Sequence, residues 1–168
     1  LSAQGEVLIP LDEKELDHLK DALLKEEVES VAICTLHSYA YPEHERIVGN
    51  YLEAHLGGIP ISLSSEVLPE RKEYERTATT VVNAYVRPVM ANYLESMRTG
   101  LGHLEIKAPV LIMQSAGGLT PEADAARKPV YVLESGPAAG VLAAGFVAKG
   151  LGINNVVTFD MGGTTAKA

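Results

Sequence analysis

Residues 156–167 read VVTFDMGGTTAK and carry the strongest chemical signal in the chain. An apolar run delivers Asp160 to its end. Gly162 and Gly163 lack a Cβ, so the backbone can turn tightly there and bring its amides close to a ligand. Thr164 and Thr165 add hydroxyl donors. Amides and hydroxyls suit phosphate oxygens, and a carboxylate at a strand end can hold Mg2+, directly or through water. The same residues also fit an ordinary glycine turn with Asp160 in an Asx-turn. Residue chemistry by itself leaves both readings open.

Other candidates are weaker. His37 and His44, with Glu43 and Glu45 nearby, are spaced as His-x6-His over a strand-to-helix turn. That is not the i, i+4 pair of a helical metal site; His37, at a strand end, is a better candidate for lining a cleft than for binding metal. Ser115 precedes Gly117 and Gly118 but lacks the G-x-S-x-G setting of a nucleophile elbow; its turn is expected to line a substrate cleft. Cys34 lies in an apolar run and reads as a buried small hydrophobe. The charged stretch at 70–76 reads as a solvated helix face with i, i+3 and i, i+4 pairs, with Arg71 or Arg76 available for a domain or subunit contact. GLGHLE and GLGINN fail the G-x-G-x-x-G pattern, and no Walker A lysine loop is present, so neither Rossmann nor P-loop binding is supported.

Composition narrows the classes. The 168 residues are 46% hydrophobic and 21% charged, a globular balance suited to one domain with a real core. The net charge of −8 repels phosphate backbones and anionic lipid, which argues against nucleic-acid and membrane partners. Aromatics are only 5% with no Trp, which leaves little for stacking bases. The longest small-apolar stretch, 136–148, is shorter than the roughly 20 residues of a spanning helix. No signal peptide opens the sequence. A lone Cys34 excludes a disulfide framework, so a reducing cytoplasm is the expected compartment. The chain begins at Leu1 and enters a readable element almost at once, which suggests an internal piece of a longer protein.

Elements must position these residues. Residues 6–9 read as a short strand, and Asp12 with Glu15 as the N-cap and N3 of a helix. Leu16, Leu19, Leu23 and Leu24 fall on one face of that helix. Residues 30–36 form a near-continuous apolar run, a strand covered on both faces. Pro42 opens a second helix, with Ile47, Val48, Tyr51, Leu52 and Leu56 inward and Gly57-Gly58 at its end. Residues 59–63 are another strand. Residues 70–100 are the longest helical region, with a kink or break expected near Pro88. Residues 109–113 read as a buried strand, 121–127 as a short helix and 130–133 as a short strand. Residues 136–149 read as a helix packed closely on a sheet, and 155–159 as a last strand. The alternation predicts an α/β domain with a mostly parallel sheet and flanking helices.

A family resemblance completes the reading. Asp-x-Gly-Gly-Thr-Thr after a buried strand resembles a phosphate loop of the actin, heat-shock-70 and sugar-kinase ATPases, with their ribonuclease H-like fold. The segment ESGPAAG at 134–140 resembles the helix start that precedes the second phosphate loop there. With LHSYAYPEHE (36–45), SSEVLPERKEYERTATTVVNAYV (64–86) and MQSAGG (113–118), the chain resembles the hydantoinase A and 5-oxoprolinase family over nearly its whole length. Acetone and acetophenone carboxylase subunits belong to that family too.

The resemblance implies ATP- and Mg2+-dependent opening of cyclic amides such as hydantoins or 5-oxoproline by a longer parent enzyme, with a second hydantoinase-type subunit or domain as partner. On this sequence, Asp160 would be the Mg2+-side carboxylate. Gly162 and Gly163 would supply amides, and Thr164 and Thr165 hydroxyls, to the phosphates. Gly136 would be a close-approach position, and Lys167 either faces a phosphate or is solvated. A ketone carboxylase subunit needs the same donors and stays open, as does a non-catalytic nucleotide-responsive module. The family's other Asp-x-Gly-Gly-Thr loop does not precede Asp160 here. These residues alone are therefore expected neither to hydrolyse ATP nor to hold it tightly, which calorimetry with Mg·ATP tests.

Overall fold

Val31–Ile33 forms β1 and Ile61–Leu63 forms β2 in the computed structural model, which describes residues 1–167. The two pair in parallel, with Val31 opposite Ile61 and Ile33 opposite Leu63. Parallel neighbours need a crossover, and α2 (Glu43–His55) supplies it. Ahead of β1 lies α1 (Glu15–Lys25), with Glu15 and Asp17 in its first turn and Lys25 in its last, as the helix dipole favours. Its N-cap is Lys14 rather than Asp12; the Asp12 carboxylate accepts the Lys14 amide at 3.1 Å in the turn before. Residues 6–9 form no strand.

Chain contacts divide the protein into Leu1–Ser96 and a second unit from Met97 onward. The core of the first unit is Leu16, Ile33, Val48, Leu52, Leu56 and Ile61. A fully buried leucine such as Leu52 contributes about 1.5–3 kcal/mol. Gly49 lets α2 approach β2: a Cβ there would lie 2.9 Å from Leu63 Cδ2. The outer residues of the two predicted stripes, Leu19, Leu24 and Ile47, are exposed. After β2 the chain enters α3 (Ser64–Val67) directly, and then α4 (Glu73–His103). Pro88 neither breaks α4 nor splits it; one missing amide is tolerated within 31 helical residues.

In the second unit, β3 (Leu111–Met113) and β4 (Leu119–Pro121) form an antiparallel hairpin across the predicted turn. α5 (Glu122–Arg127) follows. Residues 130–133, expected as a strand, lie instead in and just after a 3-10 turn, Pro129–Val132, opened by a proline whose fixed φ suits a first helical position. α6 (Ser135–Gly150) forms where expected. Residues 155–159 form no strand: Val157 and Phe159 are exposed, and no neighbouring strand ladders with them among the described residues. The strand begins one residue later, as β5 (Asp160–Met161), which pairs antiparallel with β6 (Ala166–Lys167). The protein is thus mixed α/β, with one parallel pair and two antiparallel hairpins among the described residues. Among the described residues no helix is long and apolar enough to cross a membrane.

Candidate functional site

The second unit contains a cleft of about 740 Å³ between α6 and the segment that leads into β5. Gly136, Ala138 and Gly140 line its helical side, and Asp160 and Lys167 its strand side. Small side chains on the first turns of α6 keep the helix backbone accessible. A Cβ on Gly136 would meet nothing within 4 Å, so the glycine is not required by packing inside the chain. No side chain caps α6, and uncapped first-turn amides of a helix attract anions.

Asp160 and Lys167 face each other across the β5–β6 register. Lys167 Nζ is ion-paired with Glu134, a second carboxylate on the cleft wall that sequence reading did not single out. Glu134 has φ 62, a left-handed backbone that non-glycine residues rarely adopt. Sequence carried a hint, since this glutamate opens ESGPAAG. Gly162, Gly163, Thr164 and Thr165 form the exposed turn between the strands and do not line the cleft. The Gly162 amide donates to Thr165 O at 3.0 Å, so it is used within the turn. The hydroxyls of Thr164 and Thr165 lie 3.5 Å apart.

Ser115 does line the cleft. Its Oγ contacts the carbonyls of Tyr131, at 3.0 Å, and Leu133, and its amide donates to Tyr131 O at 2.8 Å. It braces the segment carrying Glu134.

A polar network in the first unit escaped sequence reading. Glu45, on the inner face of α2, is fully buried. Its Oε1 accepts the Thr35 amide at 2.7 Å and Ser64 Oγ at 2.6 Å, and its Oε2 the Ser65 amide at 2.8 Å. Arg76, expected on a solvated face, is 1% exposed. Its guanidinium donates to Glu70 O at 2.8 Å, to Thr35 O at 3.0 Å and to the Glu73 carboxylate. The charged sequence around it hides this, because a salt-bridged helix face and a buried arginine with acidic neighbours have the same composition. His37 and His44 are not part of a metal site: among the described residues no group of three or more His, Cys, Asp or Glu could hold a metal ion. Mg2+ bound with phosphate needs only one or two carboxylates, and Asp160 and Glu134 fit that chemistry. Burial is the main cause that pushes the Cys34 thiol above its ordinary value, against a lowering hydrogen bond from Thr80.

Comparison with known proteins agrees with this architecture. The hydantoinase/oxoprolinase pattern matches residues 76–168, and the pattern of that family's N-terminal region matches residues 1–56. The chain is 37% identical to caprolactamase subunit alpha of Pseudomonas jessenii over 97% of its length and 23% of the relative's. It is 39% identical to 5-oxoprolinase of Saccharomyces cerevisiae, over 92% of this chain and 12% of that one. The crystal structure of the ATP-dependent caprolactamase from Pseudomonas jessenii superposes with a TM-score of 0.82 at 34% identity, covering 99% of this chain and 24% of that one. Nucleotide-free acetone carboxylase, an enzyme of ATP-dependent acetone carboxylation, gives 0.81 at 29% identity, covering 95% and 23%. The chain spans a quarter or less of the length of the curated relatives it matches. With more than half of its residues inside the family pattern, the chain belongs to the hydantoinase/oxoprolinase family.

Proposed function

We propose that this chain contributes the phosphate-binding part of an ATP- and Mg2+-dependent enzyme that opens cyclic amides by phosphorylating the ring carbonyl. The observation that carries this reading is the cleft in which Asp160, Gly136 and the uncapped start of α6 meet. Asp160 and Glu134 would hold the metal side, and the α6 amides and Lys167 the anionic side. Gly136 keeps the helix entrance clear of side-chain atoms, and Ser115 fixes the backbone that presents Glu134. Gly163, Thr164 and Thr165 would add donors from the turn; Gly162 keeps its amide for the turn itself. Bound Mg·ATP supplies the phosphoryl group that converts a poor electrophile, the amide carbonyl, into one with a good leaving group. The chain's contribution is positioning and charge complementarity, which dominate such transfers.

Relatives named as subunits support a second subunit as partner. A second reading, an ATP-dependent ketone carboxylase, draws support from the likeness to acetone carboxylase. A substrate panel on the intact protein, scored for phosphate release, decides between them. Release stimulated by hydantoin, 5-oxoproline or caprolactam is expected. Release stimulated only by acetone or acetophenone with bicarbonate, or only by a protein partner, would overturn the amide reading.

A further inference from the structure

A separate set of polar side chains gathers where β1 ends, within the first unit, and nucleotide chemistry leaves it unused. His37 sits there with φ 61, in the left-handed region. Its backbone amide donates to Glu73 Oε1 at 3.4 Å. Its Nδ1 lies 3.3 Å from Tyr39 Oη and 4.0 Å from the same Glu73 oxygen. The Tyr39 ring meets the imidazole edge-on, with centroids 5.9 Å apart. Two guanidinium groups lie against that tyrosine, Arg71 at 6.0 Å and Arg76 at 5.5 Å from the ring centroid. Arg76 is buried and held by Glu73, Glu70 and Thr35, whereas Arg71 is exposed.

We propose that His37 and Arg71, both set against Tyr39, recognise the edge of a cyclic amide: His37 Nε2 accepts the ring N–H and Arg71 donates to the adjacent carbonyl. The proposal needs the neutral imidazole with its proton on Nδ1, toward Tyr39 and Glu73. The groups facing the imidazole are Tyr39 on its own loop and Glu73 from α4, with Arg76 behind Glu73. Glu45 of α2 is turned toward Thr35 and Ser64. A carboxylate beside Nδ1 favours the proton on that nitrogen, with Tyr39 Oη as acceptor, and the partner of one ring nitrogen fixes the state of the other. Nε2, which has no hydrogen bond among the described residues, then carries the lone pair. A ring forces its amide into the cis form, so N–H and C=O lie side by side on one edge. An acceptor and a cationic donor, both set against the Tyr39 ring, would complement that edge, and a ligand lacking the N–H would leave Nε2 unsatisfied. Glu73 and Tyr39 are positioning residues; His37 and Arg71 touch the ligand. The location of the site is argued from the shared placement of His37 and Arg71 against Tyr39, and the choice of ligand class rests on the cyclic-amide reading above.

The test uses the intact protein without nucleotide, labelled with ¹⁵N-histidine, and titrates in 2-piperidone and its N-methyl derivative. The neutral His37 ring is expected as the Nδ1–H tautomer. Its Nε2 resonance should move saturably with 2-piperidone, and the N-methyl compound should bind at least about tenfold more weakly, the discrimination of one lost polar contact. Arg71→Gln should weaken 2-piperidone about tenfold as well. Glu73→Gln should shift the neutral ring toward Nε2–H, which a purely structural role would not do. An Nε2–H tautomer in the wild type, or equal binding of the two lactams, would overturn the proposal. If phosphate release ignores every cyclic amide while tautomer and lactam discrimination hold, the functional reading fails and this site stands; the reverse pattern removes this site alone.

Discussion

Glu45 and Ser64 are joined by a 2.6 Å hydrogen bond that ties the crossover helix α2 to the residue immediately after β2. The same carboxylate takes the Thr35 amide beyond the end of β1. One buried side chain thus fixes both strand ends that carry His37 and α3. Ser64 Oγ in turn lies 2.9 Å from the buried Ser38 Oγ, which extends the tie into the His37 loop.

Removing that carboxylate takes the acceptor from two amides, of Thr35 and Ser65, and two hydroxyls, of Ser64 and Thr35. Glu45→Ala is expected to destabilise the protein by about 3–5 kcal/mol, the scale seen when one member of a buried charged network is lost. Ser64→Ala removes one charge-assisted bond and should cost about 1.5–3 kcal/mol. Urea denaturation measures both; a loss below about 1 kcal/mol for Glu45→Ala would remove its role as a clamp.

Leu52 has no exposed surface and sits at the centre of the first core. Leu52→Ala should cost about 2–5 kcal/mol by the cavity it leaves. Ile47→Ala, five residues earlier on the exposed side, should stay within about 0.5 kcal/mol. Similar losses at the two positions would mean that the helix face is assigned wrongly.

A surface contact gives a pH signature. Tyr51 Oη donates to the Asp17 carboxylate, linking α2 to α1. That bond is the main cause that holds Asp17 below its ordinary value of 3.8, with Lys20 adding to it, and the same bond raises Tyr51 above 10.0. A lowered acid contributes stability above its unfolded value and loses it as pH falls through the folded one. A raised phenol contributes below its unfolded value and loses that as pH climbs through the folded one. Tyr51→Phe should therefore reduce stability between these limits and have a shrinking effect below 3.8 and above 10.0. Thermal midpoints across pH read this out; a difference independent of pH would exclude the bond as its source.

At the cleft, Gly136→Val offers a clean separation of fold and ligand. Its Cβ meets nothing within 4 Å, so the melting temperature should hold while nucleotide-dependent phosphate release falls. Asp160→Asn should lower apparent Mg2+ affinity about 10–100-fold. Unchanged Mg2+ dependence in Asp160→Asn would move the metal side elsewhere.

Much of this arrangement was legible in residue order. Apolar spacing located α1, α2 and α6, and two apolar runs separated by a helix foretold the parallel β1–β2 pair. The runs VYVL and NVVTF misled because short apolar stretches do not declare their partners. Pro129 turned the first into a 3-10 segment, and the second lacks a ladder among the described residues. Of the expected phosphate residues, Asp160 and Gly136 come together at the cleft, while the Gly162–Thr165 turn stands beyond it. Glu45 and Arg76 were invisible because burial of a charge depends on partners distant in sequence, and no local pattern records them.

Glu134 bears on the balance between hardiness and use. Holding a glutamate at φ 62 costs about 1–3 kcal/mol relative to a relaxed backbone, and glycine would sit there freely. A glycine at this position would yield a sturdier protein with Lys167 released and one wall of the cleft stripped of its acid. Selection for durability alone would favour that exchange, whereas the metal-side role proposed for Glu134 would require the acid.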